Sequence, residues 1–438
     1  MIASKYKNRL KFVLFILILS SHVNLFSQVI SENEFTQRRE NLINMLGTKS
    51  AAVLRAANSK VRSSDVNYRY RQESSFLYLT GAKNTNSILL LIPAGVRIGG
   101  KDVNVLLFEP SVKNDSIINT SSSITEALLN NNRFYEIFNF ILKNIDTLYI
   151  SSPELSFVND WINNRPIFIE RDSYKLLSQK FPGLKIKSAV SLMSKLREIK
   201  SIDEIGIIKK AINITGEGLK KAMKACKPGA WEYELRAAIE YEMLRNGCDY
   251  PAFPSIIGSG ANSLILHYED DNMQMDKSQV VVMDVGAEYE GYSADITRTI
   301  PVSGKFTPAQ KEIYNLVLKA QKEIIKIIKP GIKFRDLDNK AVEVFKSKGL
   351  DKYLPHGVSH SVGLDTHDFT SDQVLKTGMI ITVEPGLYIP KDASNIGVEY
   401  CGFGIRIEDD VLVTGDGCEV LSSNIQKEVK EIEKLMKD

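Results

Sequence analysis

Residues 279–299 read QVVVMDVGAEYEGYSADITRT, the stretch that most tightly restricts what this chain can fold into. Apolar, strand-favouring runs flank a short polar centre containing Gly291, so a β-hairpin is predicted. A two-residue loop at Tyr289 and Glu290 would set Asp284 directly opposite Asp295 on one face, with Cβ atoms ~5 Å apart. Two carboxylates that close repel unless a proton or a cation lies between them. Such a spacing suits a pair of metal ions ~3.5–4 Å apart that share one carboxylate. The same two residues could equally be solvated acids beside a turn, where Asp is common.

Three further segments add donors of the same kind. Residues 355–368 read PHGVSHSVGLDTHD and hold His356, His360 and His367, three of the five histidines in the chain; His267 is another, and His22 lies near the N-terminus. Such clustering in a Gly-punctuated loop favours function over three unrelated structural imidazoles. The apolar run Gly378–Val383 ends in Glu384, which Pro385 holds extended. In GFGIRIEDD, residues 402–410, alternation places Arg406 and Glu408 on one face. Taken alone, those two read as a structural ion pair, since a charged pair inside a strand must be neutralised by partners. Together the segments offer four carboxylates and one or more imidazoles, a hard donor set suited to Mn²⁺, Co²⁺, Fe²⁺ or Mg²⁺ rather than to thiolate-bound zinc. A dinuclear hydrolase is as far as spacing and chemistry lead.

The rest of the chain gives this site its setting. At 438 residues it calls for two or three domains. Lys5, Lys7, Arg9 and Lys11 precede the first acid, Glu32, and the apolar run Phe12–Leu19 follows them. That run is far short of the ~20 residues that span a bilayer. Residues 1–27 therefore read as an export signal, with cleavage expected between Ser27 and Gln28 and a periplasmic or secreted destination. The formal net charge is +3, and without the four cations of that segment the balance is −1, so neither a nucleic-acid surface nor an anionic-membrane surface is indicated.

Residues 28–197 are expected to form an α/β domain. Its predicted strands are Ser75–Leu79, Ser87–Ile92, Val103–Phe108, Thr147–Ile150 and Lys185–Ala189. A helix is predicted over Glu34–Leu46, and Asn114–Asn132 reads as loop plus short helix. Residues 198–438 form the second domain, opened by a capping box at Ser201 and Glu204. Cys226, Cys248, Cys401 and Cys418 match no metal-binding spacing and read as four separate, mostly buried thiols.

The ordered set of Asp284 with Asp295, HGVSHSVGLDTHD, TVEPGLYI and GIRIEDD resembles the pita-bread metallopeptidases, and within them Xaa-Pro aminopeptidase (aminopeptidase P). The likeness runs over nearly all of residues 60–438 and includes Arg71-Gln72, FLYLTG, Leu196–Ser201 and the Ile257–Asn262 and Leu266–Tyr268 segments. It implies a creatinase-like α/β N-terminal domain followed by a duplicated α+β pita-bread domain. It implies five ligands to two divalent metal ions, usually Mn²⁺: Asp284, Asp295, His360, Glu384 and Glu408, with Asp295 and Glu408 shared. Glu384 is implied as general base and acid, with His267, His356 and His367 as further catalytic contacts. Arg406 and Tyr388 are implied to shape the proline side, and the free amine of the substrate to lie near Asp284. Leu77 stands where the family often carries Trp, a residue that can reach a neighbouring subunit, so the homo-oligomer (dimer or tetramer) that the resemblance implies is less firmly indicated.

The implied partners are peptides with proline at position 2, with no nucleic acid, and with no membrane once the signal is cleaved. Xaa-Pro dipeptidase (prolidase) shares fold and metals. Methionine aminopeptidase usually lacks the long N-terminal domain, and creatinase lacks the metal-binding acids. A non-catalytic binding module on the same fold is the reading of another class.

Overall fold

The computed structural model describes residues 30–437 save 121–122, 152–156, 161–164, 169–176 and 395; the expected export segment lies outside the described residues. The N-terminal half is built on a mixed seven-stranded sheet. In spatial order its strands are Lys185–Ser188, Thr147–Ile150, Ser50–Arg55, Ile88–Ile98, Lys101–Glu109, Thr125–Asn130 and Ser116–Thr120. The central strands are nearly unbroken apolar runs because both their faces are covered. Leu54, Leu89, Leu91 and Val105 face one core, which includes Leu42 and Ile43 of the helix Glu32–Met45. Val53, Leu90, Leu106 and Phe108 face a second core closed by Ile137 and Ile141 of the helix Phe134–Leu142. Arg39 ties the first helix to the sheet through a buried, two-pronged pair with Glu126 at 2.7 and 2.8 Å.

Two sequence expectations fail here. Ser75–Leu79 is not a strand but part of the helix Ser74–Thr80. The Glu73 carboxylate accepts the Phe76 N–H at 2.6 Å to cap the start, and Gly81 at φ 64° ends it. With one apolar face only seven residues long, helical and strand periodicities cannot be told apart by pattern. Asn114–Asn132 is mostly the antiparallel pair Ser116–Thr120 and Thr125–Asn130, followed by a single 3₁₀ turn at Asn131–Arg133. Its polar composition is tolerated because the pair forms the edge of the sheet, and Thr125–Asn130 is held there by parallel pairing with Lys101–Glu109.

In the second half, the order helix, helix, antiparallel sheet occurs twice. The first set is Ile202–Ala225, Glu232–Arg245 and the strands Ile256–Ser259, Val280–Val285 and Ile296–Pro301; the second is Pro308–Ile327, Phe334–Lys346 and Ile380–Val383, Asp409–Val413 and Cys418–Val420. The capping box forms as expected: Ser201 Oγ accepts from Glu204 N at 3.2 Å, and Glu204 Oε2 accepts from Ser201 N at 2.8 Å. The four cysteines are free thiols, two buried and two half-buried. Among the described residues no helix is long and apolar enough to cross a membrane.

The hairpin is present with a register two residues away from the expected one. Tyr289 pairs with Tyr292, so the loop is Glu290-Gly291, both at positive φ (49° and 85°) as a type I′ turn requires. Asp284 therefore pairs with Thr297 instead of Asp295. A shift of two preserves the side-chain face, so the two acids become diagonal neighbours on the same side. Between the two ladders stands Gly286, where a Cβ would fall 1.8 Å from the Ala294 carbonyl oxygen; only glycine permits that approach.

Candidate active site

The two β units of the second half meet around a cavity of about 530 Å³. Its wall contains Asp284, Asp295, Glu384 and Glu408, the imidazoles of His267, His356, His360 and His367, and Arg406, facing an apolar side made by Phe253, Pro254, Ile256 and Leu266. The four candidate carboxylates, the four imidazoles and Arg406 thus line one space.

Backbone ladders aim these side chains. Asp284 is near the end of Val280–Val285, and Asp295 immediately precedes Ile296–Pro301. Glu384 leaves the strand Ile380–Val383 with its N–H donated to the Val358 carbonyl at 2.9 Å. Glu408 sits in the break between Phe403–Arg406 and Asp409–Val413; its N–H donates to Thr297 O at 3.1 Å and its Oε2 accepts from Thr297 Oγ1 at 2.7 Å. Arg298, fully buried, donates to the Glu408 carbonyl at 2.5 Å and to Asp409 Oδ1 at 2.8 Å, locking that break. Thr297 and Arg298 were not singled out in the sequence, although a charged residue inside the apolar run ITRTIP was an available sign.

The electrostatics point to cations. Asp295, His360 and Glu408 each present one ligand atom, all within 4.8 Å of one another. His360 Nδ1 lies 3.1 Å from the Ser361 carbonyl, which can only accept, so Nδ1 carries the proton and Nε2 bears a lone pair. That Nε2 faces Asp295 Oδ2 and Glu384 Oε1, each at 3.5 Å: acceptor against acceptors, with room for a positive ion. Burial, reinforced by His367, lowers the His360 pKa to about 4, so the ring is neutral. Burial and the repulsion of neighbouring carboxylates push Asp295 and Glu408 well above the usual range. Glu384 is lifted to about 8 by burial, against the nearby Arg406. Asp284 Oδ1 is buried without a hydrogen-bond partner. A set of buried, mutually repelling acids with an orphaned oxygen and an imidazole lone pair fits divalent metal ions.

Around the acids runs a hydrogen-bonded chain. Arg406 Nη2 donates to Asp284 Oδ2 at 2.7 Å and Nη1 to Tyr388 Oη at 2.6 Å. Tyr388 Oη lies 3.0 Å from His356 Nε2, while His356 Nδ1 donates to the Gly357 carbonyl at 2.8 Å. The phenol therefore donates to the imidazole and accepts from the guanidinium. This corrects the reading of Arg406 as the partner of Glu408: its partner is Asp284, from a different sheet. His356, like His360, is lowered to about 4 by burial. His367 stacks on His360 with ring centroids 3.9 Å apart, and burial together with His267 lowers its pKa.

Residues 206–415 match Metallopeptidase family M24, and residues 35–127 match the aminopeptidase P N-terminal domain. The Xaa-Pro aminopeptidase of Escherichia coli (strain K12) is 33% identical over 441 residues, 93% of this chain and 98% of that protein. A solved structure of aminopeptidase P from E. coli with the inhibitor Pro-Leu matches with a TM-score of 0.77 at 31% identity, covering 93% of this chain and 98% of the other. The Xaa-Pro dipeptidase of Pyrococcus furiosus is 38% identical over 295 residues, which is 66% of this chain and 77% of the dipeptidase.

Proposed function

The chain belongs to metallopeptidase family M24, and from that premise we propose that it is an Xaa-Pro aminopeptidase: a metal-dependent hydrolase that releases the N-terminal residue of a peptide whose second residue is proline. The observation that carries this is the Asp295, His360 and Glu408 cluster, with Glu384 beside it, in a chain similar to aminopeptidases over both its halves.

Asp284, Asp295, His360, Glu384 and Glu408 are the residues that would hold two divalent ions. Four carboxylates against one imidazole favour Mn²⁺. Bound there, such ions neutralise the acids, polarise the scissile carbonyl and make a water acidic enough to attack at neutral pH. The chain's own groups do the rest. Glu384 takes the proton from the attacking water and passes it to the proline nitrogen as the C–N bond breaks. His367 and His267, donors on the cavity wall, stabilise negative charge on the carbonyl oxygen. Asp284, fixed by Arg406, recognises the free amine. Arg406, Tyr388 and His356 form one hydrogen-bonded unit that shapes the proline side, and the Phe253, Pro254, Ile256 and Leu266 wall suits a ring without an N–H.

The Pyrococcus relative favours one second reading, a dipeptidase. Chelated protein reloaded separately with Mn²⁺, Co²⁺, Zn²⁺ or Mg²⁺ and given Xaa-Pro and Xaa-Pro-Yaa decides both points. The expected result is greatest turnover with Mn²⁺ and release of Xaa from the tripeptide; cleavage confined to the dipeptide would overturn the aminopeptidase assignment. Export is proposed on the basic and apolar pattern of residues 1–27. N-terminal sequencing of the mature protein should begin at or near Gln28, and retention of Met1 would contradict it. A homo-oligomer is proposed from the resemblance alone, and a monomeric mass by light scattering would reject it.

A further inference from the structure

The loop that carries His367 is fastened on both sides of that residue, and the fastenings come from outside the M24 region. Arg197, at the end of the helix Val190–Arg197, lies between the residues that match the N-terminal domain and those that match M24. Its Nη2 reaches Asp365 Oδ2 at 2.7 Å and Asp368 Oδ1 at 2.6 Å. Its guanidinium also lies 4.7 Å from the centroid of the Phe369 ring, and Nη1 donates to Ser75 Oγ at 3.2 Å. Two residues of the N-terminal half complete the hold: Ser74 Oγ donates to Asp365 Oδ1 at 2.6 Å, and Arg71 Nη2 donates to the Leu364 carbonyl at 2.5 Å. Lys200 Nζ lies 3.4 Å from Asp368 Oδ2 and 3.4 Å from Ser361 Oγ, next to His360.

The side chains of Arg197 and Asp368 are 1% and 2% exposed, so this is a desolvated charge cluster with fixed geometry, unlike a surface pair. Among the described residues, the ring of His367 itself is held by its stacking on His360 and by no hydrogen bond. Its position in the cavity is therefore inherited from Asp365 and Asp368, and the Arg197 guanidinium grips both of them.

We propose that Arg197 is a positioning residue for the peptidase reaction: gripping Asp365 and Asp368, it makes the junction between the two domains set where the His367 ring stands. The inference rests on the assignment of His367 to the peptidase centre. It gives the N-terminal half a part in the geometry of catalysis.

A mutant cycle tests it on the full-length, Mn²⁺-loaded protein with an Xaa-Pro-Yaa substrate. Arg197→Met should lower kcat by roughly tenfold to a hundredfold, the scale of a small misplacement at an active site, with KM changed by less than about threefold. In a His367→Ala background the same substitution should change kcat by less than about twofold. Equal losses in both backgrounds, or no loss in a folded single variant, would overturn the proposal. Asp365→Asn, at a side chain 37% exposed, serves if Arg197→Met does not fold, and should show the same dependence on His367. A readout independent of turnover is the imidazole NMR spectrum of histidine-labelled, metal-free protein. His367 signals should move in Arg197→Met while those of His267 stay, and unchanged His367 signals would reject the mechanism. Wild-type protein that does not cleave would instead reject the peptidase assignment, leaving the NMR result to judge the positioning on its own.

Discussion

At the scale of single residues, the site is governed by burial of like charges. Asp295, Glu384 and Glu408 lie together in the cavity wall, and among the described residues none has a Lys or Arg side chain within ion-pair distance. In the proposed mechanism Glu384 is the one of these with a second task, because its carboxylate would carry a proton as well as hold an ion. Glu384→Gln keeps the shape and removes the base. It should lower kcat by about 10²–10⁴-fold, the usual weight of a general base, and weaken the binding of one metal ion. Assays at saturating Mn²⁺, paired with metal analysis, check this, and a variant within twofold of wild type would refute the role. Much of this chemistry was legible in the sequence, because motif and strand alternation point Asp284, Asp295, Glu384, Glu408 and His360 the same way. Arg406 was not. The nearest acid along the chain on its face is Glu408, whereas its actual partner, Asp284, is 122 positions away and reaches it only through packing of two sheets.

Elements show a different limit: local signals identify caps well and registers poorly. Ser201 and Glu204 are three positions apart in sequence and bond each other, so the start of the helix Ile202–Ala225 could be read directly. Ser201→Ala should reduce the unfolding free energy of the catalytic half by about 1 kcal/mol, measured by urea denaturation, and no change would mean that the cap is satisfied by other groups. The hairpin register turns on whether Tyr289-Glu290 or Glu290-Gly291 makes the loop. The type I′ preference for positive φ at both loop positions selects the second, with Gly291 at φ 85°. The expected strand at Ser75–Leu79 failed for a related reason. What separates a short helix from a short strand there is the Glu73 cap and the left-handed Gly81, at the ends of the segment and outside its apolar pattern.

For the whole molecule, the buried acids make stability depend on metal and pH together. In the metal-free protein Glu384 is raised to about 8, and Asp295 and Glu408 are pushed well above the ordinary carboxylate range, so the folded chain keeps protons that the unfolded chain has lost. Stability from these groups is present below the ordinary carboxylate range and is lost as pH rises through the raised values. His356 and His360, depressed to about 4, act oppositely: their contribution is present above the ordinary imidazole value of 6.5 and is lost as pH falls towards 4. The two effects oppose each other below 6.5, and only the carboxylates act from there to 8. The Tm of metal-free protein should therefore fall between pH 6.5 and 8, and saturating Mn²⁺ should raise it most at the upper end. A metal-free Tm that rises across that window would contradict the account of the acids. Four of the seven strands of the N-terminal sheet follow from local apolar patterns, the twofold helix, helix, sheet order was implied only by the family resemblance, and the grip of Arg197 on the His367 loop depends on how the halves meet.

The most direct test of the central claim is release of the first residue from matched Xaa-Pro-Yaa and Xaa-Ala-Yaa tripeptides by chelated protein with and without Mn²⁺. Mn²⁺-dependent release from the proline peptide, with little from the alanine one, is the result the account predicts. Equal release from both, or release that persists after complete chelation, would contradict it.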